Sequence, residues 1–156
     1  MIMDVEVDGG KITKPIFPNG VISNDNRRIF VLNGEHKRIW RAENPNGHIG
    51  VCLKIDGGLI TSTNQNKCDG GLLLDDNRLY LVEFKGRDYE HAVEQLKETK
   101  KYFKNNYSEY DFDFYARIVG KSFPKSSTAR QKAIRVLGNN FGKKYKIFEN
   151  QGHETI

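Results

Sequence analysis

No run of apolar residues in this sequence is long enough to span a bilayer, and its start, MIMDVEVDGG, lacks the basic and apolar regions of a signal peptide. A membrane protein or a secreted one is not expected; a cytoplasmic protein is. Cysteine is scarce. Cys52 and Cys68 read as reduced, half-buried strand residues rather than as a disulfide or thiolate ligands. There is no low-complexity tract. Acidic residues are missing from residues 114–148, where nine Lys or Arg stand. A polyanion-facing surface gives that asymmetry, and so does a solubilising face. At 156 residues the chain suits one core and is too short for two well-buried ones. A single domain over 1–156 is expected, with an irregular segment over 1–27 and a frayed tail over 150–156.

What the chain does have is concentrated in residues 67–96, KCDGGLLLDDNRLYLVEFKGRDYEHAVEQL. Side chains alternate between the faces of a strand. Over 79–85, Tyr80, Val82 and Phe84 therefore share one face, while Leu79, Leu81, Glu83 and Lys85 share the other. The second face ends on a carboxylate and an ammonium, a poor choice for a core unless something uses those charges. The polar run 75–78 supplies turn residues between this strand and an earlier one over 69–74. Pairing Leu74 near Leu79 places Asp69 opposite Glu83 or Phe84, with a bulge at Gly70 and Gly71 able to shift the register by one. Two carboxylates this close repel unless one is protonated or a cation sits between them, and Mg²⁺ or Mn²⁺ accepts such oxygen ligands. A neighbouring Lys85 orients water or stabilises charge on a phosphate oxygen.

Asp69, thirteen intervening residues and then Glu83-Phe84-Lys85 resemble the PD-(D/E)xK nuclease superfamily, the restriction-endonuclease-like group that includes Holliday-junction resolvases. The likeness extends to a helix with a glutamine, Gln95, after the second strand. It departs in having Cys68 where a proline often sits. The resemblance implies an α/β fold, a restriction-endonuclease-like mixed β-sheet flanked by helices. It also implies Asp69 and Glu83 as metal ligands, the Phe84 carbonyl as an additional one, and Lys85 and Gln95 as catalytic residues. An N-terminal helix in that superfamily often donates one more acid, for which Glu35 and Glu43 are the candidates.

Elsewhere, residues 28–32 read as the first real strand, 35–43 as a short helix with Ile39 and Trp40 inward, and 48–55 and 59–63 as two strands. Asp88 caps a helix reaching about residue 105, whose Val93, Leu96, Lys100 and Phe103 lie on one face. Residues 111–119 suit a central strand, parallel to 79–85 because a helix crosses between them. Thr128 and Gln131 form a capping-box signature for a second helix over 129–140, and 143–148 is a last strand. The expected function is a Mg²⁺- or Mn²⁺-dependent nuclease acting on DNA, its backbone held by Arg117, Lys121, Lys125, Arg130 and Lys132. A homodimer fits, since one site cuts one strand. An RNA-cleaving toxin or effector, or a non-catalytic nuclease-like domain that binds nucleic acid or protein, are the alternatives.

Overall fold

The computed structural model describes residues 2–62, 66–85, 88–121 and 128–156. In chain order the strands β1 (Glu6–Asp8), β2 (Lys11–Lys14), β3 (Val21–Asp25), β4 (Ile29–Asn33), β5 (Ile39–Glu43) and β6 (Gly50–Lys54) come first. The hairpin β7 (Gly70–Leu74) and β8 (Arg78–Lys85) follows, then α1 (Tyr89–Asn106), β9 (Asp113–Gly120), α2 (Thr128–Phe141), β10 (Tyr145–Glu149) and β11 (Gln151–Thr155).

β8 is the centre. Its near-continuous apolar run suits a strand covered on both faces, and Leu79 to Val82 are buried throughout. It pairs antiparallel with β7 and parallel with β9, the second because α1 carries the chain back across the sheet. The six-stranded sheet runs β10-β9-β8-β7-β6-β3. α1 starts where the Asp88 carboxylate accepts the His91 N–H at 3.0 Å, and it buries Ala92, Val93, Leu96 and Phe103. These residues join Leu79, Leu81 and Ile118 of the sheet and Leu137 and Phe141 of α2 in one apolar cluster. On the other face Tyr80, Val82 and Phe84 meet Phe30, Leu32, Trp40 and Ala42, which belong to a second sheet of order β11-β5-β4.

The molecule is thus α/β with mixed sheets, layered as helices, six strands and three strands. Helices cover one face of the large sheet, not both. Among the described residues no helix is long and apolar enough to cross a membrane. Cys52 and Cys68 are free and fully buried rather than half-buried.

Four expectations are corrected. Residues 35–43 are not a helix but a turn leading into β5, where Trp40 and Ala42 are buried and Arg41 and Glu43 exposed. That alternation of period two is the strand signature. Residues 59–63 are no strand over their described part: Leu59 N–H and Ile60 N–H donate back to Lys54 O and Ile55 O, so the turn consumes the groups a ladder would need. Residues 151–155 are not a frayed tail but β11, parallel to β5 with Gly152 opposite Trp40. A Cβ on Gly152 would lie 2.9 Å from Phe148 and 3.0 Å from Trp40, so only glycine fits that crossing. Nor is β4 the first strand, because β1 to β3 precede it, with β3 on the edge of the large sheet beside β6.

Candidate active site

The β7–β8 hairpin is regular. Leu73 pairs with Leu79 and Gly70 with Val82, so no bulge intervenes and Asp69, one residue before β7, comes opposite Glu83. The two acids are tied reciprocally. Asp69 N–H donates to Glu83 Oε1 at 3.1 Å, and Phe84 N–H donates to Asp69 Oδ2 at 2.8 Å. Lys85 Nζ lies 3.6 Å from Glu83 Oε2. The Asp69, Glu83 and Lys85 constellation read from the sequence is therefore assembled at one strand end.

Burial shapes its electrostatics. Glu83 is 1 % exposed, and desolvation, reinforced by the Asp69 charge, pushes its carboxyl up to about 9 against the opposing pull of Lys85. Asp69 is also raised, by burial first, with the Phe84 N–H working the other way. Without a cation, Glu83 is the protonated one at neutral pH, since two adjacent buried carboxylates cannot both ionise cheaply.

α1 fixes the approach to Asp69. Thr99 Oγ1 accepts the Cys68 N–H at 2.8 Å, and Gln95 Nε2 donates to Lys67 O at 3.3 Å. Both bonds hold the backbone just before Asp69. Gln95 Oε1 is buried and has no hydrogen-bond partner among the described residues. The same face opens on a cleft of about 880 Å³ lined by Asp69, Glu83, Phe84, Lys85 and Gln95 together with Glu35, Asp56 and Lys54.

Asp56 and Thr99 are the residues that reading the sequence missed. Asp56 sits in the turn after β6, lines the cleft, and its charge raises Asp69; it also faces the buried Lys67 at 3.8 Å. Its only sequence signal was a DGG turn, which reads as local geometry. Thr99 lies one helical turn after Gln95, a spacing that puts both on one stripe of α1.

The other expected residues divide. Glu35 lines the cleft. Glu43 does not: its carboxylate faces His153 at 3.4 Å and receives the Thr155 hydroxyl at the edge of the small sheet. Arg117 is no backbone clamp for nucleic acid. It is 3 % exposed, lies on the face opposite Glu83, bonds Glu154 through Nε at 2.6 Å and Nη2 at 2.9 Å, and sits 5.0 Å over the Tyr80 ring. Lys121 is exposed beside the site, its N–H donating to Lys85 O at 3.2 Å. Arg130 is half-buried and Lys132 exposed on α2; neither lines the cleft. Lys125 lies outside the described residues.

Among the described residues no three His, Cys, Asp or Glu side chains converge as a ready-made metal cluster. The donor set is two carboxylates, and it fits a hard divalent ion, which is commonly held by one or two carboxylates and several waters. A cation would take the place of the Glu83 proton, and the orphaned Gln95 oxygen can accept a bond from water. Comparison with known proteins adds no family to this geometry: no protein-family model, no curated protein and no solved structure matches the chain.

Proposed function

We propose that the chain is a metal-dependent phosphodiesterase of the restriction-endonuclease-like kind, cutting DNA. One observation carries the reading: a buried acid pair locked in register, with Lys85 Nζ 3.6 Å from Glu83, opening on a cleft large enough for a nucleotide. Asp69 and Glu83 would hold Mg²⁺ or Mn²⁺, with the Phe84 carbonyl as a further oxygen. The chemistry that ion supplies is Lewis-acid polarisation of the phosphate and acidification of a bound water.

The chain's own residues do the rest. A bound cation would favour the ionised form of Glu83, which burial and the Asp69 charge otherwise keep protonated. Lys85 donates to the attacking water or to a phosphate oxygen as negative charge accumulates. Gln95 would offer its unpartnered carbonyl oxygen to a bound water while its amide holds Lys67 O. Thr99 keeps Asp69 at its post through Cys68 N–H.

The test is cleavage of plasmid and branched DNA, with total RNA alongside, in Mg²⁺ and in Mn²⁺. Wild-type protein should nick DNA, while Asp69→Ala and Lys85→Ala each lower the rate by about a hundredfold or more. Activity surviving in the double variant would overturn the reading. RNA cut in preference to DNA would move the substrate and keep the chemistry.

A further inference from the structure

A second cavity, of about 450 Å³, opens beside the acidic cleft and is lined by His36, Lys37, Arg38, Lys121, Asn150 and Gln151. His36 and Arg38 line both cavities, so the two share that wall. Carboxylates line one side. Among the described residues, no Asp, Glu, aliphatic, Phe, Tyr or Trp side chain lines the other.

Three distant parts of the chain build it. The β4–β5 turn presents His36 and Lys37 from left-handed backbone, φ 56° and 60°, a conformation that is uncommon outside glycine and is found where surrounding structure imposes it. The turn is pinned over the end of β8, because a Cβ on Gly34 would come 2.4 Å from the Phe84 ring. Lys121 is delivered by the end of β9, bonded to Lys85 O. Asn150 joins β10 to β11, its N–H donating to Gly120 O at 2.6 Å. Arg38 is half-buried, yet the ion pairs among the described residues engage other cations than it, Lys37 and Lys121. Glu35 of the same turn lines the neighbouring cleft and Glu149 precedes Asn150, so the cations are partly balanced nearby without being paired, and an arriving anion gains their attraction.

We infer that this cavity is a phosphate-binding subsite for the nucleic-acid substrate, seated next to the position where the acid pair acts. The inference rests on the nuclease reading for the identity of the ligand. A guanidinium fork and two ammonium groups match phosphate oxygens. Among the described residues the lining offers cations and amides rather than an apolar or large aromatic wall, which suits a contact that positions a strand through its backbone rather than one that reads its sequence. The same chemistry serves a terminal phosphomonoester or an internal phosphodiester one or two nucleotides from the reacting one.

The experiment is anisotropy titration of one fluorescent oligonucleotide, 5′-phosphorylated, 3′-phosphorylated or free at both ends, in EDTA so that no cutting occurs. Wild type is compared with Arg38→Gln/Lys121→Gln and, as a variant confined to exposed residues, Lys37→Gln/Lys121→Gln; circular dichroism checks that each is folded. The expected result is binding about tenfold weaker in the variants, with the slope of log affinity against log salt shallower by about two. A loss confined to one phosphorylated end assigns the subsite to strand termini. Equal loss for all three oligonucleotides assigns it to the internal backbone. Unchanged affinity and unchanged salt slope in both variants overturn the subsite. Because no cleavage enters the readout, a protein that cuts nothing but loses binding in the variants keeps the subsite and discards the nuclease, and the converse result separates them the other way.

Discussion

Glu83 holds the opposing demands of the site in one side chain. Its carboxyl is raised to about 9 in the folded protein against an ordinary value of 4.5. A folded-state value above the unfolded one means that the folded chain keeps a proton the unfolded chain gives up. The stabilisation is complete below about 4.5 and is lost progressively as pH rises towards 9. Metal-free protein should therefore melt at steadily lower temperature across that interval. Glu83→Gln, which cannot ionise, should flatten the profile and stabilise the metal-free protein at pH 8 by on the order of 2 kcal/mol, while abolishing cleavage. Thermal melts in EDTA from pH 5 to 9 check this, and a profile equally steep in the variant would contradict it.

At the level of elements, the β7–β8 hairpin and α1 do separate jobs. The hairpin sets which residues face each other, and α1 sets where the hairpin begins. Thr99 is the clearest case, since it is fully buried and satisfies Cys68 N–H. Thr99→Val keeps the volume and removes the acceptor, leaving a buried N–H unpaired at a cost of about 1–3 kcal/mol. Urea unfolding should register that loss, and the cleavage rate at saturating Mg²⁺ should fall with it; an unchanged midpoint would place the Cys68 bond outside the energetics. The hairpin and α1 were legible in the sequence because they carry strong local signals: a turn cluster between apolar runs, then Asp88 ahead of a three-and-four stripe. Residues 35–43 and 151–155 were not. The first mixes charges with Ile39 and Trp40 in a short run that suits either period, and QGHET has no apolar alternation. Its strand exists because β5 offers an edge and because Glu154 and Gly152 fit what lies beneath.

For the whole molecule, the bond that joins the layers is Glu154 with Arg117. It links the small sheet to the large one, with Trp40 Nε1 donating to the same carboxylate at 2.8 Å. Burial works to raise Glu154, but Arg117 and Trp40 outweigh it and hold the carboxyl below its usual range. A folded value below the unfolded one gives stabilisation that is present above the ordinary carboxyl pKa and is lost as pH falls through the folded value. Glu154→Ala strands a buried guanidinium and should cost about 3–5 kcal/mol, whereas wild type should lose stability on acidification below about pH 4.5. Denaturant titration at pH 7 and pH 3.5 tests both, and a variant as stable as wild type at pH 7 would remove this pair from the account. Arg117 also explains why the basic stretch 114–148 misled: a lysine-rich and arginine-rich run does not reveal which of its charges is answered by a carboxylate 37 residues further on. Lys121, which is in none of the ion pairs among the described residues, lies at the end of β9 with its N–H on Lys85 O.

The parallel pairing of β11 with β5 has a consequence for synthesis. Residues 151–155 leave the ribosome after every segment they complete, while β5, their partner, emerged more than a hundred residues earlier. A nascent chain that has made the acid pair and α1 still lacks the strand that closes the small sheet and neutralises Arg117. The β7–β8 hairpin is therefore made long before β11, and the small sheet that backs the β4–β5 turn is the last layer to be completed.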